Sequence, residues 1–283
     1  KELMERVKSY STENVRKLAR IVCTIGPSSE SPEILGQMIL AGMDIARLNF
    51  SHGTYEEHHE RLMAVRAAEE KWSRPVAILM DLCGPKIRTG EMRDNKITLT
   101  PGARVIIQAE PLDGTPERFS TIAPEILPDL RVGDPILLDD GLLELIVEKE
   151  GTSEVACRVV IGGTLKSSKG INLPATPLSL PSITEKDKRD LAWGQDHSID
   201  FVALSFVRSA RDILEVRKLI SAGNRNLKIV AKIEKPEAVE NIDDIIKVAD
   251  AIMIARGDMG VELPAPRVPW VQREIIKRCW LAN

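Results

Sequence analysis

Leu227-Lys-Ile-Val-Ala-Lys-Ile-Glu-Lys-Pro236 is an apolar run that ends in charges, and Ala251-Ile-Met-Ile-Ala-Arg-Gly-Asp-Met-Gly260 repeats the form. Four more runs share it: Ile21–Pro27, Ile45–Gly53, Val76–Gly84 and Phe201–Ser209. Four to six mostly apolar residues between turn signals read as buried parallel strands. Helical patterns separate most of them. Ser31 is placed to cap the first, Pro32 fits its first position, Ile34, Leu35, Met38 and Ile39 give a stripe, and Gly42 stops it. Glu57 to Lys71 carries Leu62, Met63, Val65 and Ala68 among charges. A third helix begins near Thr184, with Glu185 and Asp187 suiting its dipole. Strand–helix alternation of this kind predicts an α/β fold with a parallel sheet.

From about Gly90 to Pro181 the rhythm changes. Ile97–Thr100, Ala103–Ala109, Ile136–Leu138, Leu142–Val147 and Val155–Ile161 read as strands. Gly102, Asp113-Gly114, Gly133, Asp140-Gly141 and Gly162-Gly163 read as turns between them. This predicts a small all-β domain inserted after the third strand, with Pro174, Pro177 and Pro181 stiffening the return. The expected division is an N-terminal segment 1–17, barrel part 18–89, inserted β domain 90–182 and barrel part 183–283. Polar residues gather at the strand ends: Arg47 to His52, Asp81, Lys232 to Glu234, and Arg256 to Asp258. Function collects there in parallel folds, and the distribution favours a (β/α)₈ barrel over a doubly wound sheet. Six strands are two short of closure and alone would expose two sheet edges, so the expectation is that the missing part exists in the native protein, or that another chain or a changed ending covers the gap.

Composition narrows the function classes. The 283 residues are 43% hydrophobic, enough for a sizeable core, and the formal charge is −3 from 39 basic and 42 acidic residues. Such a balance points away from nucleic acid and membranes as partners. No apolar run is long enough to span a bilayer and no signal peptide is visible. The four cysteines are scattered without a CxxC pair, which reads as reduced thiols in a cytoplasmic protein.

Side chains on a strand alternate faces, so Arg47, Asn49 and Ser51 share one, as do Lys232 and Glu234. Charges on apolar strands are costly unless paired or metal-bound. A structural salt bridge explains one such pair well, but three clusters at three strand ends less well. Glu234 and Asp258 are hard oxygen ligands that suit Mg²⁺, with substrate and water completing the octahedron. Lys232 would set a fixed cation on a phosphoryl oxygen, and Arg47 and Arg88 add positive charge. Phosphoryl transfer needs this combination of positioning and neutralisation. Gly257 leaves room for backbone N–H groups to approach an anion.

The segments Arg20–Pro27, Ala46-Arg-Leu-Asn-Phe-Ser-His-Gly53, Asp81-Leu-Cys-Gly-Pro-Lys-Ile-Arg-Thr-Gly90, Lys169-Gly-Ile-Asn-Leu-Pro174, Ala231-Lys-Ile-Glu234 and Ala255-Arg-Gly-Asp-Met-Gly-Val-Glu262 resemble the pyruvate kinase family. The resemblance runs from about residue 18 to 279, in the family's order. It implies a barrel carrying a β lid, and phosphoryl transfer between phosphoenolpyruvate and ADP giving pyruvate and ATP in glycolysis. It implies Mg²⁺, with Mn²⁺ as the alternative ion, held by Glu234 and Asp258. Lys232 resembles the lysine that stabilises the transferring phosphoryl group and the enolate, and Arg47 the phosphate-binding arginine. Arg88 and Lys169 resemble nucleotide-phosphate contacts. Asn49 and His52 lie where the family approaches the nucleotide. Gly257 and Asp258 match the backbone that receives the substrate carboxylate. The family's full-length members are homo-oligomers, commonly tetramers. Asp140 sits in the lid motif, where a plain β-turn accounts for it.

Asn49, Ser51, Asp81 and the carbonyl of Leu82 match the family's K⁺ positions. Members that require K⁺ carry glutamate at the position of Lys86, and members that do not carry lysine. Leu82, where the first group has threonine, points the same way. An ammonium beside the phosphates supplies the charge K⁺ would bring, so the resemblance implies turnover without K⁺. Two rival readings stay open. Another Mg²⁺–enolpyruvate barrel, an aldolase or lyase, would share Glu234 and Asp258 but would leave Arg88 and Lys169 unexplained. A non-catalytic fragment would bind phosphoenolpyruvate or nucleotide without turnover. Other features have structural readings: His58-His59 as a solvated helix face, Trp193, Trp270 and Trp280 as packing, and Met38, Met43, Met63 and Met80 as core.

Overall fold

The computed structural model describes residues 19–222 and 227–282. The segment expected for residues 1–17 lies outside them. In chain order the elements are β1 (Ile21–Thr24), α1 (Pro32–Ala41), β2 (Met43–Asn49), α2 (Tyr55–Trp72), β3 (Ala77–Asp81), β4 (Lys96–Leu99), β5 (Arg104–Gln108), β6 (Arg118–Ser120), β7 (Pro135–Leu138), β8 (Leu143–Lys149), β9 (Glu154–Ile161), β10 (Gly163–Lys166) and β11 (Ile171–Asn172). There follow α3 (Glu185–Asp196), β12 (Phe201–Leu204), α4 (Ala210–Ala222), β13 (Lys228–Ile233), α5 (Pro236–Glu240), α6 (Ile242–Val248), β14 (Ala251–Ile254), α7 (Arg256–Glu262) and α8 (Val268–Leu281). They divide into two compact units. One takes the described residues up to Cys83, Glu185–Leu204 and Glu215–Val230; the other takes Gly84–Thr184, Ser205–Leu214 and the chain from Ala231.

In the first unit β1, β2, β3 and β12 lie side by side in that order, all parallel. Sequential parallel order without reversal is the barrel arrangement, not the doubly wound one. β2, β3 and β12 carry the buried residues of this sheet, with Ala46, Leu48, Ile78, Met80 and Val202 fully enclosed, while β1 leaves Ile21 and Val22 exposed. Ser31 caps α1 by accepting the Ile34 N–H at 3.4 Å, Pro32 opens it, and Gly42 ends it at φ 110°. Thr54 and Glu57 exchange bonds in a capping box at the start of α2. Leu35 and Ile39 face the core, but Ile34 is 38% exposed; it lies on the outer side of that helix, so the stripe is narrower than the sequence suggested. Met63 is likewise exposed, while Met43 and Met80 are core. His58 reverses the expectation of a solvated face. It is 2% exposed and stacks on Phe50 with ring centroids 3.9 Å apart, because it shares the inward side of α2 with Leu62 and Val65.

The second unit holds the β-rich insertion that follows the third parallel strand. Six of its strands form one sheet in the order β11-β7-β8-β9-β5-β6, and β10 pairs antiparallel with β4. Alternation drives it: in β7 and β8 every second residue is buried. Phe119, Leu127, Leu138, Leu145, Val155 and Cys157 pack in one core. Full burial of each large side chain contributes about 1.5–3 kcal/mol. The strands read from the sequence are present. β6, β10 and β11 were missed: β6 and β11, with three and two residues, are too short to show a period, and β10 begins at Gly163, which read as a turn. Arg208 holds the return segment, donating to the carbonyls of Leu178 and Leu180, each at 2.6 Å. The C-terminal part of β13 lies beside β14 here. Trp270 and Trp280 do not pack as expected. They are 72% and 81% exposed, since α8 turns Val271 and Ile275 inward and leaves both tryptophans on its other side. Among the described residues no helix is long and apolar enough to cross a membrane.

Candidate functional site

Within the first unit, β2 and β3 run in register with Asn49 opposite Asp81 and Arg47 opposite Leu79. Arg47 therefore reaches Asp81 diagonally. Its Nε donates to Asp81 Oδ2 at 2.8 Å and its Nη2 lies 2.5 Å from the same oxygen. Nη1 donates to Thr24 Oγ1 at 2.7 Å. Asp81 is almost fully buried and Arg47 a quarter exposed, so the guanidinium is fixed on one side and open on the other. A pre-oriented arginine of this kind suits a phosphate. The Asn49 side chain accepts the Ser51 N–H at 3.1 Å. The Leu82 N–H is taken by the Ala203 carbonyl at 3.0 Å. The His52 side chain is exposed, while its carbonyl accepts His58 Nε2 at 3.0 Å. Asp81 thus serves as the anchor of Arg47, a role the sequence did not reveal.

Within the second unit, Lys232 and Glu234 share a face as their spacing required, and they pair. Lys232 Nζ lies 3.0 Å from Glu234 Oε1, with side chains 10% and 1% exposed. The ammonium also donates to Ser205 Oγ at 2.7 Å. Glu234 Oε2 accepts the Phe206 N–H at 2.9 Å. Phe206 adopts φ 56°, a left-handed backbone that costs a non-glycine residue about 1–2 kcal/mol and that aims this N–H at the carboxylate. Burial pushes the Glu234 carboxyl up; Lys232 and the Phe206 N–H oppose that, and the charge of Asp258 adds to it.

A divalent ion fits this donor set. Glu234 Oε1 is buried, with the Lys232 ammonium beside it at 3.0 Å. Asp258 is exposed and within electrostatic reach of Glu234. Among the described residues no group of three or more His, Cys, Asp or Glu forms a closed cage. Two carboxylates with room for substrate and water suit Mg²⁺, which is seldom caged by protein alone. Around Gly257 a side chain would meet nothing within 4 Å, so an anion has access to that backbone.

The remaining residues are less concentrated. Arg88 Nη1 donates to the Ser168 carbonyl at 2.8 Å. Lys169 Nζ pairs with Asp139 at 2.8 Å, and its N–H donates to Thr89 Oγ1 at 3.0 Å. Asp139, Asp140 and Gly141 all have positive φ, in keeping with a turn at Asp140. Lys86 is exposed and lines a pocket together with Asp140, Asn172, Lys235, Asp258 and Glu262. Ser205, Phe206, Lys235 and Glu262 escaped the sequence reading. Glu262 had a signal: it stands four residues after Asp258, one turn along a helix.

The chain matches the family model described as "Pyruvate kinase, barrel domain" over residues 16–283. Pyruvate kinases of Staphylococcus aureus strains MRSA252, USA300 and bovine RF122 are each 47% identical over 262 residues, covering 92% of this chain and 45% of theirs. The chain thus spans a little less than half the length of these curated relatives. With the family model extending over nearly every residue and the six quoted motifs in order, the chain belongs to the pyruvate kinase family.

Proposed function

We propose that this chain carries the Mg²⁺ and phosphate side of a pyruvate kinase site, serving phosphoryl transfer between phosphoenolpyruvate and ADP. The observation that carries the reading is the buried Lys232–Glu234 pair, a cation and a carboxylate held 3.0 Å apart at a strand end. Glu234 and Asp258 hold Mg²⁺, with Mn²⁺ as the alternative. When bound, the ion neutralises phosphoryl oxygens and the enolate oxygen. Lys232, steadied by Ser205, holds a positive charge against the transferring phosphoryl group and the enolate oxygen as charge develops there. Arg47, braced by Asp81 and Thr24, binds the phosphate. The backbone at Gly257 and Asp258 receives the substrate carboxylate.

Asn49, His52, Arg88 and Lys169 serve the nucleotide, and the β insertion, residues 90–182, acts as a lid over it. Asn49, Ser51, Asp81 and the Leu82 carbonyl occupy the K⁺ positions, with the Lys86 ammonium supplying the charge instead. The setting is cytoplasmic and glycolytic, and the assembly a homo-oligomer. The test is pyruvate formation from phosphoenolpyruvate and ADP with Mg²⁺, first in K⁺-free buffer and then with K⁺ added. Turnover without K⁺ is expected. Turnover only with K⁺ would remove the role given to Lys86, and none in either buffer would leave phosphoenolpyruvate binding without catalysis as the better reading.

A further inference from the structure

Lys235 directly follows Glu234, and Glu262 lies one turn beyond Asp258 on α7. The two neighbours are joined. Lys235 Nζ donates to Glu262 Oε1 at 2.7 Å, and the side chains are only 7% and 1% exposed. The same oxygen accepts Asn172 Nδ2 from β11 at 2.8 Å. Glu262 Oε2 is buried and has no hydrogen-bond partner among the described residues.

Stability is a poor explanation for this arrangement. Removing two charges from water offsets most of their attraction, and apolar residues of similar volume are often as stable. Geometry is a better one. The pair bolts the segment just after β13, where Glu234 stands, to the helix that carries Asp258. The i, i+4 spacing sets Asp258 and Glu262 on the same side of α7. Residues behind metal ligands commonly fix ligand orientation in this way.

We propose that Lys235, Glu262 and Asn172 are positioning residues that set the separation of the Glu234 and Asp258 carboxylates and thereby the affinity for a divalent ion. The proposal rests on the reading of those two carboxylates as Mg²⁺ ligands. It also gives the return strand of the β insertion a grip on the metal site, because Asn172 and Lys235 share one oxygen of Glu262.

The test is Mn²⁺ titration followed by electron paramagnetic resonance, without substrate, alongside a thermal melt of each variant. The parent protein is expected to bind Mn²⁺ and Glu234→Gln to lose it. Lys235→Met combined with Glu262→Leu keeps the volume and removes both charges. It is expected to melt near the parent temperature and to bind Mn²⁺ about 10- to 100-fold more weakly. Lys235→Arg, which keeps the pair, is expected to stay close to the parent. Parent-like affinity in the double variant would overturn the positioning role and leave the metal reading standing. No Mn²⁺ binding by the parent, or undiminished binding by Glu234→Gln, would overturn the metal reading and the proposal with it. Should the double variant not fold, Asn172→Leu decides: it removes one neutral hydrogen bond, weaker Mn²⁺ binding is expected, and unchanged binding would overturn the proposal.

Discussion

Replacing Lys232 with methionine keeps the length of the side chain and deletes its charge. At the observed 3.0 Å and an effective dielectric of about 20, the lost attraction to Glu234 is about 5 kcal/mol. Part of it is returned, because a buried ammonium no longer has to shed water. Breaking one side of a buried pair generally costs about 3–5 kcal/mol, and Lys232→Met is expected near the lower end, since Glu234 keeps the Phe206 N–H. Lys232→Met combined with Glu234→Gln removes the uncompensated charge and should recover at least half of that loss. Urea unfolding in Mg²⁺-free buffer measures both, and keeps metal binding out of the comparison. Turnover should behave differently. Loss of a fixed cation aimed at developing charge costs about 100- to 1,000-fold in kcat, and the double variant should recover none of it. Lys232→Met retaining turnover within tenfold of the parent would refute the chemical role. A coupling energy between the two sites below about 0.5 kcal/mol would refute the energetic argument.

Gly84→Ala tests the strained segment beside the site. Gly84 sits at φ +68°, and a Cβ there would meet Phe206 Cδ2 at 3.0 Å and Ser205 Cβ at 3.1 Å. Stability should fall by about 1–2 kcal/mol from the backbone alone, and turnover should fall with it because Ser205 and Phe206 must move; a variant equal to the parent in both assays refutes this. His58 gives a pH dependence. Burial holds its pKa below the ordinary 6.5, so above that pH both folded and unfolded states are neutral. As pH falls below 6.5 the unfolded chain takes the proton first, and stability is lost down to the depressed folded pKa. His58→Gln should flatten that acid limb in urea melts, and an unchanged slope would contradict it. The Cys157 thiol, pushed up to about 12 by burial, should resist alkylation at pH 8 until the protein unfolds, while the half-buried Cys23 and Cys83 react. Mass spectrometry of labelled peptides would expose the error if Cys157 reacts as fast as they do.

The parallel strands and the β insertion were legible because each rests on local information: run length, alternation and turn residues. Ser31, Pro32 and Gly42 bounded α1 to the residue for the same reason. Surface assignments failed where a helix had to choose its inner side. His58 and His59 are equally polar neighbours, yet only the first shares a side with Leu62 and Val65. Nothing in a single sequence says that the stack on Phe50 outweighs hydration. Trp270 and Trp280 went wrong in the opposite sense, since an apolar type was taken to imply burial. The φ of Phe206 had no signal at all, because a bulky residue is an unlikely choice for a left-handed backbone and is tolerated only where its N–H is needed.

The charged strand ends show where local reading stops. Lys232, Glu234, Lys235 and Glu262 are all visible in the sequence as charges in or next to apolar runs, and that alone marks them as costly. Their formal charges cancel, which is why all four can be buried together. The sequence does not say which lysine meets which carboxylate. Alternation along β13 assigns Lys232 to Glu234, two residues away on the same face. It leaves Lys235 pointing elsewhere, and the partner it finds lies 27 residues on, at the far end of the helix that carries Asp258. Each pair therefore has a different task. The local one keeps a cation beside the Glu234 carboxylate, and the distant one holds that carboxylate's strand end against the helix that carries Asp258. The backbone already ties the strand end to the helix start, the Ala255 N–H donating to the Ile233 carbonyl at 3.3 Å, and the two side-chain pairs add what the backbone does not set, the way the Glu234 and Asp258 side chains are turned.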